Sequence, residues 1–346
     1  MPLTNFPNGI TSFGMPVMGS GHNTTTGNLF FVDSGGAGAS DGNTGKDPGH
    51  PLATLNGAVA KATANNGDIV FLMPGHAENV SAVTTQVIGT AGLTFVGLGS
   101  GSDAPTFTYT AAAGSVVITG ANTKFENVRF VAAVEQVANA FAVYADGATF
   151  LGCDIDWSGA GSMFFRVFDA VNVNKVSVQQ CSIKSSQYNP SSTSGFGREV
   201  VRMAGADQFT FEDNVVYGYW TNAAIYGTSE TSTDTVGAGP WLVAQVAAVG
   251  VPGSTGLNVD MNLARNTIHN YATTTSMANG VAQCVDINTA SVGTISRNAL
   301  SLSAAGVGVA LALDPGSCRC IENYAIDNID EHAVVVPPLA ADTTTA

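Results

Sequence analysis

Asp154 and Asp156 stand either side of Ile155 and just before Trp157, in the string C-D-I-D-W. On a strand, residues two apart point to the same face with Cβ atoms about 7 Å apart. Both carboxylates are therefore expected to face outward beside an indole. Paired carboxylates next to an aromatic platform can supply a proton donor, a base or nucleophile, and a surface on which a sugar ring stacks, which is the apparatus of glycoside hydrolysis. Such a pair is catalytic only where a pocket perturbs it. The reading adopted is that no catalytic pair is present, with Asp154 and Asp156 as the candidates were the protein an enzyme.

Other residues with chemical potential stand alone. His76 and Glu78, in P-G-H-A-E-N, could act as base or metal ligands, but no third ligand accompanies them. The loop Asp41-Gly-Asn43-Thr44-Gly spaces oxygen ligands on alternate residues, yet the twelfth position counted from Asp41 is Leu52 and not the Glu of a calcium loop. Turn chemistry accounts for it. Cys318 and Cys320 are too close for a zinc knuckle and read as two inward thiols of one strand. Strand geometry over Gly197–Arg202 would put Arg198 and Arg202 on one face and Glu199 on the other. No motif surrounds His22, His50, His269 or His332, and no metal or cofactor is expected.

The elements that would position these groups repeat along the chain. Seven times an apolar residue is followed after three positions by a small or amide residue, and after two more by another apolar one. The matches are Phe125/Val128/Phe130, Phe150/Cys153/Ile155, Val178/Cys181/Ile183, Phe211/Asn214/Val216, Leu263/Asn266/Ile268, Ile295/Asn298/Leu300 and Cys320/Asn323/Ala325. Their middle positions are 25, 28, 33, 52, 32 and 25 residues apart, within the roughly 20–50 residues expected of stacked solenoids. Period-two alternation on both sides predicts a unit of strand, corner, strand. Asn at the corner tolerates the left-handed conformation and can satisfy backbone groups. Stacking would then align Cys153, Cys181, Asn214, Asn266, Asn298 and Asn323 in an inward ladder, with Phe125, Phe150, Phe211, Leu263 and Ile295 as an interior stack.

This pattern resembles the right-handed parallel β-helix of pectate lyases and many phage tailspikes, whose corner ladder of inward Asn it matches over about residues 95–326. The resemblance implies an all-β solenoid and does not fix an activity. The strings R-x-P-x-x-R, Asn-Thr-Asp and Gly-His-Gly that mark the related lyases and hydrolases are absent.

Composition narrows the partners. With 12 Lys+Arg against 26 Asp+Glu the net charge is −14, which argues against nucleic acid, anionic membrane surfaces and, unless calcium bridges them, polyuronates. Charged residues make up 11%, against about 25% in ordinary domains, so the exterior must be built from Thr, Ser, Asn, Gly and Ala. Five cysteines, mostly on strand patterns, do not suggest a disulfide framework. No run of 18 apolar residues and no signal-peptide layout occurs, so a soluble protein made in a host cytoplasm is expected.

Residues 1–27 carry no useful helical or strand period but space Phe6, Ile10, Phe13 and Val17 between Gly and Pro, as an extended arm that docks on another surface would, the alternative being an arm that packs back on its own β-helix. Residues 28–75 read as an N-terminal cap: a strand at 28–32, a Gly- and Asp-rich loop, a helix at 54–65 ended by Gly67, and a strand at 68–73. Residues 76–333 are the β-helix, with an excursion near 219–256, and 334–346 are a tail that ends it. The opening L-T-N-F-P-N-G-I-T-S-F-G, followed by such a cap, is similar to the start of small phage virion proteins. That resemblance implies a non-enzymatic bacteriophage capsid decoration or head protein. It would be a homotrimer on the capsid exterior, held by the arm to the major capsid protein or another virion protein. The alternative it implies is a tailspike-type polysaccharide depolymerase that binds host surface glycans.

Overall fold

The computed structural model describes residues 25–159, 161–184, 197–220, 223–228, 257–271, 283–288, 290–302 and 313–326, with the short strands Thr11–Ser12, Met15–Pro16 and Ala333–Val336. Each sequence repeat folds as strand, sharp corner, strand, and a third strand completes the coil. Thr149–Leu151, Asp154–Trp157 and Arg166–Val171 are one such coil. Stacked coils pair like strand on like strand, giving three sheets of ten, ten and eight strands among the described residues, parallel throughout except for the last strand of the second. The chain is a right-handed parallel β-helix.

Register is set by the inward residue of each rung, because a one-residue slip would turn the core face outward. In the first sheet Phe95, Phe125, Phe150, Val178, Phe211, Leu263 and Ile295 are successive partners. The Phe95 and Phe125 rings stack at 4.8 Å and those of Phe125 and Phe150 at 5.9 Å, the offset geometry aromatic faces prefer. Phe211 pairs directly with Leu263, so the 52-residue gap in the repeat is a single coil. Its third strand, Ala223–Thr228, pairs with Glu199–Ala204 and Gln283–Ile287, inside the stretch expected to be an excursion. That rung lacked a signal because its ladder residue, Asn214, had already been counted; residues 229–256 lie outside the described residues.

The helix α1 spans Leu55–Lys61, with Thr54 Oγ1 capping Gly57 N–H at 3.0 Å. It stops four residues short of expectation because the Asp68 carboxylate takes the Thr63 N–H at 2.7 Å and Asn65 turns left-handed, at φ 55°. The flanking strands are Leu29–Val32 and Ile69–Leu72, each one residue shorter per mismatched end than the pattern suggested. Leu55 and Ala58 bury against the core, so α1 plugs the open end of the solenoid. At the other end Ala333–Val336 runs antiparallel to Asn323–Ile326 and ends the parallel stacking of the second sheet. The tail therefore begins with a paired strand. The arm, expected to have no strand, contains a tight hairpin in which Thr11 opposes Pro16 and Ser12 opposes Met15.

The left-handed residue of each corner is not the ladder residue but the one before it. Asn127, Gly152, Gln180, Asp213, Arg265, Arg297 and Glu322 have φ of 52–60°. The N–H of each of the first six donates to the next coil, as Asp213 does to Ala264 O at 3.1 Å and Arg265 to Ser296 O at 3.0 Å. The ladder residue is not left-handed, and its side chain is buried. A stack of like corners thus supplies the hydrogen bonds that make the strained conformation tolerable.

Candidate functional site

The outer face of the second sheet gathers the polar and aromatic side chains best placed to meet a ligand. Arg129, on the rung before Asp154–Trp157, pairs in register with Asp154. Its guanidinium lies between the two carboxylates, with Nε 3.4 Å from Asp154 Oδ2 and Nη2 3.2 Å from Asp156 Oδ2. Partial burial, and secondarily the charge of Asp156, hold the Asp154 carboxyl above its ordinary value against the opposing pull of Arg129 and Lys184. The expected outward pair is therefore real as geometry but is bound to a permanent cation. Trp157 is not free beside it as a platform, since it packs against the core cluster and is only partly exposed.

Further along the same face, Lys184, Tyr217, His269 and Ser301 are successive register partners. The His269 ring meets Tyr271 edge-on at 4.2 Å, and its Nδ1 is bonded to Ser301 Oγ. Burial pushes the His269 pKa down, so near neutrality the imidazole is an uncharged hydrogen-bonding group.

His76 and Glu78 are brought together, but as a clasp. His76 is buried; its Nδ1 accepts from the Ser34 N–H at 3.0 Å, and its Nε2 bonds Glu78 Oε1 at 2.9 Å. Glu78 also accepts from the Leu55 N–H and, at 2.7 Å, from Gln86 Nε2. Every partner belongs to the cap or first coil, so the pair fastens helix and loop to the solenoid. Among the described residues no three His, Cys, Asp or Glu side chains converge where a metal could sit. Asp41 instead caps Ala53 and Thr54 through backbone bonds of 3.0 Å. Cys318 and Cys320 are buried thiols, and burial raises Cys318 to about 11.

The ladder residues meet as a column of hydrogen bonds. Asn214 Nδ2 donates to Val178 O at 2.9 Å and to Asn266 Oδ1 at 3.1 Å. Asn266 and Asn298 repeat the pattern, and Asn323 Nδ2 donates to Ile295 O at 2.7 Å. Where Cys153 and Cys181 take the position, their thiols reach the equivalent carbonyls of Phe125 and Phe150 at 3.8 Å. The arm residues Phe6, Ile10, Phe13 and Val17 lie outside the described residues.

Sequence reasoning missed three groups. At other corners Asn258 Oδ1 accepts from the Ala206 N–H at 3.0 Å and Asn270 Oδ1 from the Trp220 N–H at 3.1 Å, and no repeating apolar frame marks these positions. Arg166, Asp169, Glu199 and Arg202 form a buried ionic cluster, with Arg166 Nε 2.8 Å from Glu199 Oε1 and Arg202 Nε 2.7 Å from Asp169 Oδ1. This corrects the expectation that Glu199 and Arg202 face opposite ways. Strict alternation fails at the start of both strands, where consecutive Val167 and Phe168, and Val200 and Val201, all join the core, and all six residues of each strand are buried. The third group is Asp286 and Asp314, register partners on neighbouring rungs of the third sheet. Burial, and then the charge of Asp314, raise Asp286 to about 6. The two carboxylates lie 28 residues apart in the chain and meet only through rung register.

Solved structures similar to this chain include a rhamnogalacturonan lyase, at 10% identity and a TM-score of 0.43, covering 86% of this chain and 87% of that one. A pectin methylesterase from Aspergillus niger matches at 16% and 0.49, over 88% and 86%, and a pectate lyase at 14% and 0.45, over 92% and 82%. No protein-family model and no curated protein matches the chain.

Proposed function

We propose that the protein is a non-enzymatic structural component of a bacteriophage virion: a capsid decoration or head protein, trimeric, carried on the capsid exterior and attached through residues 1–27. The observation that carries the non-enzymatic part is Arg129, held 3.4 Å and 3.2 Å from both outward carboxylates. A guanidinium bridging both carboxylates occupies the space between them where a substrate would have to sit, and it screens the charge that a nucleophile needs. The virion part rests on the resemblance of the opening string and cap to those of small phage virion proteins, and a charge-poor solenoid suits a rigid exterior. The test is to offer the purified protein capsular and lipopolysaccharide glycans and to assay for new reducing ends or unsaturated products. None is expected.

A second reading, the tailspike-type depolymerase, is favoured by Asp286 and Asp314. Adjacent rungs stand about 4.8 Å apart, and the carboxyls of retaining glycosidases are separated by about 5–5.5 Å. The raised Asp286 would be the acid and Asp314 the nucleophile. Cleavage that is lost in both Asp286→Asn and Asp314→Asn would establish this reading and overturn the first.

A further inference from the structure

Two consecutive positions of the corner ladder hold thiols where the later ones hold amides. The strands before and after the corner are in register on these two coils, Leu151 opposite Gln179 and Asp154 opposite Ser182, so Cys153 stands directly opposite Cys181. The Ser182 N–H donates to Cys153 O at 3.0 Å, which holds the two corners one rung apart. Adjacent rungs are about 4.8 Å apart, inside the range of about 4.4–6.8 Å found between the Cα atoms of a disulfide. Both side chains are buried, at 1% and 2% exposure, and both thiols are free. They are bonded to each other, and that contact, followed by burial, holds the Cys153 thiol well above its ordinary value.

The flanking coils show that a ladder position can hold a hydrogen-bonding amide, Asn214, or an apolar side chain, Val128. The thiols are weak substitutes for the amide. Cys153 Sγ lies 3.8 Å and 3.7 Å from the carbonyls of Phe125 and Leu151, and Cys181 Sγ 3.8 Å and 3.3 Å from those of Phe150 and Gln179. The ladder asparagines make their Nδ2 bonds at 2.7–3.1 Å. What a thiol adds over either alternative is a covalent bond to its neighbour. We infer that Cys153 and Cys181 are a disulfide site, closed by a small disulfide oxidant into a bond that ties two neighbouring coils together. With glutathione disulfide as the oxidant, one S–S bond forms between Cys153 and Cys181 and that of the oxidant breaks, and two glutathione thiols carry away the two electrons and two protons. Closure needs side-chain rotation and little backbone movement, because strand register already sets the Cα spacing. The reaction passes through a mixed disulfide, so a buried, un-ionised pair reacts only when the coils open locally. The site is independent of the virion reading; only its timing, reduced in a host cytoplasm and closed after release into an oxidising medium, rests on that reading.

The test uses the full chain, purified in the reduced state and incubated with excess glutathione disulfide, with and without about 1 M urea to favour local opening. The protein is then alkylated in denaturant and digested with trypsin. The expected product joins residues 130–166 to residues 176–184 through Cys153 and Cys181, while Cys284 is recovered alkylated. Urea should speed its formation severalfold. The bridged protein should melt about 5 °C or more above the reduced protein, and dithiothreitol should reverse both changes. Cys153→Ser and, independently, Cys181→Ser should lose the product and the shift while keeping the strand-rich circular dichroism. Glutathione adducts without the joined peptides, a bond to another cysteine, no product in either condition, or a bridged protein that melts no higher would each overturn the inference. The timing is read separately, by trapping thiols with N-ethylmaleimide in expressing cells and in purified particles. A bond that forms with glutathione disulfide but is absent from particles would sink the timing alone. Protein that never enters particles would sink the virion reading and leave the site standing.

Discussion

Asn298 Oδ1 accepts two hydrogen bonds from Asn266, from the backbone N–H and from Nδ2, both at 2.9 Å. One amide therefore satisfies two donors of the coil above while its own Nδ2 reaches back to Leu263 O at 2.9 Å. Asn266→Ala would leave a buried backbone N–H and its share of the column without bonds, at a cost of about 1–3 kcal/mol. Chemical denaturation of the variant should show that loss. Cys181→Ala should cost less, since the thiol contributes only weak bonds at 3.8 Å and 3.3 Å.

The clasp at His76 predicts a local effect. His76→Ala removes the acceptor of the Ser34 N–H and a partner of Glu78 in a buried setting, a loss of about 1–3 kcal/mol. Hydrogen exchange should accelerate first in residues 33–54 and α1, with the ladder strands Phe211 to Ile295 still protected.

Asp286 sets a pH dependence. Its folded value of about 6 lies above the ordinary 3.8, so between about pH 4 and 6 the folded chain holds a proton that the unfolded chain has released. Stability contributed by this group is therefore present below that window and is lost as pH rises through it. Melting temperatures across the window should fall less steeply in Asp286→Asn than in the parent protein.

Gly293 is a packing requirement. A Cβ there would lie 2.5 Å from Met261 O and 2.8 Å from Met261 N, which are backbone atoms of the neighbouring rung. Gly293→Ala should therefore destabilise the protein by about 1–3 kcal/mol, measurable as a lowered denaturation midpoint.

The solenoid was legible because its information is local and repeated: Phe211, Asn214 and Val216 state an inward strand residue, a ladder amide and the next inward residue within six positions. The location of the left-handed residue was not legible, because Gln180, Asp213, Arg265 and Arg297 share no side-chain type and their φ near 55° is sustained by the next coil. Long-range pairs were hidden for a related reason. Asp286 and Asp314 become neighbours only through rung register, and Arg166 meets Glu199 across 33 residues and a break in alternation. Asp154 and Asp156 were visible as a pair, but Arg129, which decides what the pair can do, stands one coil earlier.

The most direct test of the account is particle incorporation of the chain lacking residues 1–24, a deletion that spares the anchoring bonds of Thr25 and Asn28. The full chain and the deleted chain would be supplied during assembly, and the copies per purified particle counted by quantitative mass spectrometry. The account predicts a strand-rich, soluble truncated protein that is absent from particles carrying the full chain at high occupancy. Equal occupancy of the two, or a full chain that never co-purifies with particles, would contradict it.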